Sequence, residues 1–175
     1  MINFEETPFD EVKLFRFDGL TDNRGSKIRY YSADEFSASK IDFVPQEEIL
    51  YEIPLANTLF GIHFQDEPKP QQKMIRLIAG CGIDYAIDLR PESPTYRKWF
   101  STELSAQNKM QILIPRGFGH LFRSTADNTI MIFQIDCPFD KTLSRIVSYR
   151  DPIINLDIKD MNFILAPKDE SAPYL

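Results

Sequence analysis

The chain has 175 residues, enough for one hydrophobic core, and its 43% hydrophobic content is that of an ordinary folded domain. A net charge of −6 argues against a nucleic-acid surface, and no apolar run approaches the ~20 residues of a membrane-spanning helix. No basic segment followed by an apolar one opens the chain, so the expectation is a cytoplasmic protein with Cys81 and Cys137 as reduced thiols.

In chain order, residues 12–17 alternate apolar and polar like a half-buried strand. Asp22-Asn23-Arg24-Gly25 reads as a turn, followed by a short basic strand over 27–31. Ser32-Ala33-Asp34-Glu35 is a capping box and predicts a short helix to about Ser39. Further strands are predicted over 41–44, 49–53, 58–64, 73–79, 84–89, 98–101, 111–114, 119–124, 129–135 and 145–148, most of them separated by Pro, Gly, Asn or Asp. Fourteen Phe and seven Tyr favour strands as well. Many short strands at this spacing mean an all-β sandwich or barrel, taken as one domain over 1–175. The final twenty residues carry helix signals at most, and no internal repeat or linker interrupts the chain.

The chemistry-bearing candidates centre on the two histidines. His63 lies in Leu59-Phe60-Gly61-Ile62-His63-Phe64-Gln65, where strict alternation puts Gly61, His63 and Gln65 on one face and Phe60, Ile62 and Phe64 on the other. Glycine beside a strand histidine leaves room for a ligand. His120 follows the turn Pro115-Arg116-Gly117. That spacing is a cupin second-motif pattern, but the metal-binding version carries His-x-His where this chain has His63-x-Gln65. Two imidazoles and an amide make a poor ligand set, so no metal is expected. Lys73 opens a strand after a Pro-rich loop. A lysine there is ordinarily a solvated end, but turned inward beside His63 it would stabilise an oxyanion. Asp84 and Asp88 alternate with Ala86, the pattern of a solvent-facing strand surface.

Several stretches together resemble the dTDP-4-dehydrorhamnose 3,5-epimerase family of cupin jelly-roll enzymes. They are Asp22-Asn23-Arg24-Gly25, Gly61-Ile62-His63-Phe64-Gln65, Gln72-Lys73, the run DLRPESPTY at 88–96, LSAQN at 104–108, Ile114-Pro115-x-Gly117-Phe118-x-His120, and Lys168-Asp169. The resemblance implies an all-β cupin-type jelly roll with small flanking helices, a homodimer, and epimerisation of a nucleotide-diphosphate sugar without metal or redox cofactor. It assigns His63 as base, Asp169 as its carboxylate partner and Lys73 as enolate stabiliser. Arg24, His120 and Lys168 fall at positions that contact the nucleotide sugar, and Gln65, in the same matched stretch as the base, is expected to bind substrate as well. Imidazole titrates near neutrality, as a base for this step should.

The departures are as specific. The family's catalytic tyrosine falls at Phe133, which cannot donate a proton. A phosphate-gripping arginine falls at Phe60 and a glutamate at Arg29. The glutamine and asparagine that read the base fall near Glu48 and Leu50, and a further glutamate falls at Ser144. The ring that stacks on thymine is kept as an aromatic, Phe139. Two readings follow. One is an epimerase acting on a 4-keto sugar at one carbon or two, with Arg29 and Arg116 replacing lost phosphate contacts and with His63, water or a tyrosine such as Tyr30, Tyr51 or Tyr149 returning the proton. The other is a sugar-nucleotide-binding or partner-binding protein without turnover.

Overall fold

A computed structural model describes residues 1–158 and 161–175. Its strands run β1 (Ile2–Glu5), β2 (Lys13–Phe17), β3 (Gly19–Asp22), β4 (Gly25–Ile28), β5 (Glu47–Ile53), β6 (Leu59–Gln65), β7 (Lys73–Ala79), β8 (Cys81–Asp88), β9 (Trp99–Ser105), β10 (Gln111–Ile114), β11 (Phe118–Ser124), β12 (Thr129–Ile135) and β13 (Ser144–Val147). Two short helices, α1 (Ala33–Ala38) and α2 (Pro167–Glu170), complete the described elements.

The strands build a six-stranded sheet, β1-β2-β10-β7-β12-β5, facing a five-stranded sheet, β13-β6-β11-β8-β9. Every pairing within them is antiparallel. Leu14, Ile75, Leu77 and Ile112 of the first sheet and Ala86, Leu104, Phe118 and Phe122 of the second fill the space between them. Both outer faces are also covered over part of their area. Phe36 of α1, with Ile41 and Phe43, packs on Phe15, Phe17 and Met74 outside the six-stranded sheet. Tyr149, Ile154, Leu156, Ile158, Phe163 and Leu165 pack on Tyr85, Ile87 and Leu121 outside the five-stranded sheet.

The predicted helix forms, with the Ser32 hydroxyl accepting from the Glu35 amide. Residues 41–44 form no strand: Pro45 brings no N–H to a ladder, and Ile41 and Phe43 serve instead as apolar plugs over α1. The strands at 2–5 and 19–22 were not expected. β3 and β4 pair with each other alone, as an exposed hairpin turning through Asp22-Asn23-Arg24-Gly25, with Gly25 at φ 131°.

Strict alternation also fails in β6. His120 pairs with His63 and Phe122 with Phe60, so two steps on β11 are matched by three on β6. The extra residue is a β-bulge, and it brings Phe60 onto the side of the sheet that His63 occupies. The solvent-facing reading of Asp84 and Asp88 is likewise corrected, because both are fully buried. The opposite face of β8 is closed by the C-terminal segment, so Asp84, Ala86 and Asp88 line the interior between the sheets.

Candidate active site

Each reactive side chain is held by an identifiable local device. His63 and His120 face each other across the β6–β11 pairing, and His120 pairs on its other side with Ala86, whose small side chain crowds neither. His120 is delivered by the turn at Pro115-Arg116-Gly117, where Gly117 takes φ 80°. A side chain there would be strained by that φ and would strike Arg90 Cγ at 2.6 Å. Asp169 arrives on α2, whose first helical position is Pro167, a residue preset for a helix start.

His63 Nε2 and Asp169 Oδ1 are 2.6 Å apart, and the carboxylate is almost fully buried. Gly61 makes that approach feasible, since a Cβ on it would lie 2.8 Å from the same oxygen. With Nε2 donating to the carboxylate, the Nδ1 lone pair is the free one. Burial pulls the His63 imidazolium below its usual range. Asp169 works against that shift, and Lys73 and Lys168 reinforce it. The ring is therefore neutral at physiological pH and able to accept a proton.

Lys73 is 6% exposed, and its Nζ donates to the His63 carbonyl at 2.9 Å. Burial lowers its pKa to about 8, with Asp84 opposing the fall, so at neutral pH it remains a cation. Asp84 Oδ2 lies 2.8 Å from His120 Nε2, and both side chains are buried. Burial raises the Asp84 carboxyl, with His120 and Lys73 holding it back. The result is a buried ammonium, held beside the Asp84–His120 pair and next to one open imidazole nitrogen, an arrangement suited to making and holding an enolate. Phe133 lies under the ammonium, its ring centre 5.8 Å from Lys73 Nζ. Among the described residues no three His, Cys, Asp or Glu side chains gather into a metal-holding group.

Among the described residues, no hydrogen bond joins the remaining candidates to the side chains of His63, Asp169, Lys73 or Asp84. Arg24 stands on the exposed hairpin, paired with Asp22 at 2.6 Å, and Arg29 pairs with Glu35 at 3.0 Å. Phe139 is exposed, and its amide donates to Glu47. Lys168 is exposed next to Asp169. Gln65 is buried with its amide committed to loops: Nε2 donates to the carbonyls of Lys69 and Pro138, and Oε1 accepts from Asp140 N. It holds the walls in place, with its polar atoms already engaged. Glu48 faces outside the sheet, on Arg76 and Gln134. Asp84 is the site residue that sequence reasoning missed. Its signal was Ala86, a small residue directly opposite His120.

The family model for dTDP-4-dehydrorhamnose 3,5-epimerase matches residues 6–175. The chain belongs to the dTDP-4-dehydrorhamnose 3,5-epimerase family. A curated member from Sinorhizobium fredii is 33% identical over 175 residues, covering 98% of this chain and 89% of that one. A crystal structure of a Bacillus anthracis epimerase of the same name, with TDP and PPi bound, superposes with a TM-score of 0.96 at 29% identity over 100% of both chains. The Legionella pneumophila dTDP-6-deoxy-D-glucose-3,5-epimerase, in complex with dTDP-4-keto-L-rhamnose, gives 0.93 at 26% identity over 99% of this chain and 93% of that one. The two facing sheets are thus the epimerase family's cupin jelly roll.

Proposed function

We propose that this chain is an isomerase that inverts the carbon next to the ketone of a nucleotide-linked 4-keto-deoxy-sugar without a cofactor. The single observation that carries the reading is the 2.6 Å His63–Asp169 contact beside a buried, still cationic Lys73. A ketone acidifies its neighbouring C–H. His63 Nδ1 takes that proton, the C–H electron pair moves into the new C=C bond, and the carbonyl pair moves onto oxygen. Lys73 stabilises that oxygen, and Asp169 fixes the ring's orientation and its charge once protonated. A protein without proton chemistry has no physical need to bury the Asp169 carboxylate against a histidine, which costs desolvation.

In this reading His120 meets the nucleotide sugar beside His63, and the diphosphate nucleotide is held outside the chemical centre by Lys168 and Phe139, and by Arg24 and Arg29. Those two arginines sit at or just beyond the exposed hairpin, apart from His63, and a homodimer in which each hairpin completes the partner's site would bring them to the sugar nucleotide. The whole chain acts as one cupin unit. Its two free thiols fit work in the cytoplasm.

The test is solvent exchange. Incubation with dTDP-linked 4-keto-6-deoxyglucose in deuterium oxide, followed by proton NMR, should show label at the carbon or carbons next to the ketone. His63→Ala should reduce that exchange to background. Exchange that survives in the variant removes the base assignment, and a wild-type protein that exchanges nothing leaves the reading of a binder without turnover.

A further inference from the structure

Inversion needs two proton carriers: a base on one face of the sugar and an acid on the other. His63 stands on the five-stranded sheet, so the acid belongs to the wall opposite. The register fixes which residues of that wall face inward. Lys73, Ile75 and Leu77 of β7 align with Ile135, Phe133 and Met131 of β12, and these align with Glu47, Ile49 and Tyr51 of β5. Lys73, Glu47 and Tyr51 are the proton carriers in that set. Lys73 is bound to the backbone of the histidine's own strand and serves the oxygen. Glu47 accepts the Phe139 amide at the edge of the sheet.

Tyr51 remains. Its ring packs edge-on against Phe60 at 5.2 Å and leans on Phe133 at 6.4 Å. Both rings border the His63 site, Phe60 through the β6 bulge and Phe133 beneath the Lys73 ammonium. Tyr51 is 38% exposed, and its hydroxyl has no hydrogen-bond partner among the described residues. Other tyrosines are placed elsewhere: Tyr30 under Arg76, Tyr31 against Phe36, Tyr85 on Asp157, Tyr96 under Arg97, and Tyr149 against Phe163.

We infer that Tyr51 is the catalytic acid of this protein, delivering its phenolic proton to the face of the enolate turned away from His63. The inference rests on the epimerase reading above and names the missing half of its reaction. The enolate's electron pair forms the new C–H bond as the Tyr51 O–H bond breaks. The resulting tyrosinate takes a proton from water, and protonated His63 gives one to water, so the cycle closes with no net gain or loss. The two phenylalanines hold the phenol in place by ring contacts and leave its hydroxyl free to point at the substrate.

The experiment compares wild type with Tyr51→Phe on dTDP-linked 4-keto-6-deoxyglucose in deuterium oxide, following both label uptake and the stereochemistry at each labelled carbon. The variant keeps the ring and should melt as wild type does. Label uptake should persist, because His63 still removes and returns the proton on its own face, while inversion should fall by ~10²-fold or more. Inversion at the wild-type rate in the variant overturns the assignment, and so does loss of uptake and inversion together, which would mark a merely structural ring. Wild-type protein that takes up label without inverting also overturns it and leaves the His63 assignment standing. Wild-type protein that takes up no label fails the proposed function itself.

Discussion

Replacing Lys73 with methionine should make this protein more stable and less active, and the gain should vanish in alkali. A buried ammonium is costly. Its pKa falls from 10.5 in the open chain to about 8 in the fold, with burial as the largest cause. At ~1.4 kcal/mol per tenfold change, that gap is about 3 kcal/mol of folding free energy spent on keeping the charge inside. Methionine matches the lysine stem without the charge. It forfeits the charge-assisted bond to the His63 carbonyl, roughly 2 kcal/mol, and a weak contact with the Phe133 ring. The expected net gain at neutral pH is therefore about 1 kcal/mol, or ~2–4 °C in melting temperature for a chain of this size. The sign with pH is fixed by linkage. Below pH 8 both folded and unfolded wild type carry the proton, and the full cost is present. Between about 8 and 10.5 the unfolded state binds the proton and the folded state does not, so wild-type stability climbs with pH. Above 10.5 the cost is gone and the methionine variant loses its advantage. Urea unfolding of both proteins at neutral pH and near pH 10 measures this directly. A variant no more stable than wild type at neutral pH, or a gap that ignores pH, would refute the buried-cation argument. Exchange or inversion in the variant should drop by ~10²-fold or more, since the enolate loses its counter-charge.

Two further outcomes follow from the same geometry. The kcat/KM profile should be bell-shaped, because His63 must be neutral and Lys73 charged. Burial places the acid limb below pH 6.5, and the alkaline limb should fall near pH 8; a profile that stays flat through pH 10 would exclude Lys73 from the chemistry. Gly61→Ala should lower kcat by ~10–10²-fold with little change in the melting curve, because the added methyl would sit 2.8 Å from Asp169 Oδ1 and push the carboxylate off His63. Unchanged turnover in that variant would mean that Asp169 does not orient the base.

How much of this was legible in the chain depends on what each residue does. The short strands were readable because antiparallel pairs alternate and the turns between them need Gly, Pro, Asn or Asp. The hairpin strand at 19–22 was not, since it is exposed on both sides and carries no alternation. The run at 88–96 was the most distinctive in the sequence, and the structure shows why it is so constrained. Asp88 accepts from Arg90 N, Nε and a terminal nitrogen and from the Ser93 and Thr95 hydroxyls. Burial alone would raise that carboxyl, but these bonds outweigh it and hold it far below the usual range. In LSAQN, Asn108 Oδ1 takes the amides of Ser105 and Met110. Both runs are turn architecture, so family membership was carried mainly by residues that build turns.

Asp84 is the instructive failure. Its strand looked two-faced, polar on one side and apolar on the other, because nothing in the sequence told that Tyr149, Ile154, Phe163 and Leu165 would cover the apolar side and turn the polar side inward. Yet Asp84 is what makes Lys73 usable. Burial drives the lysine toward neutrality, and Asp84 is the charge that opposes it, leaving the pKa at about 8, just high enough for a cation at neutral pH. Asp84 in turn is kept ionisable by His120 and by Lys73 itself. The His120–Asp84 pair therefore acts on the enolate at one remove: its negative end sustains the positive charge that the oxygen meets. The same low-dielectric interior that makes each of these charges expensive is what makes their mutual support strong enough to matter.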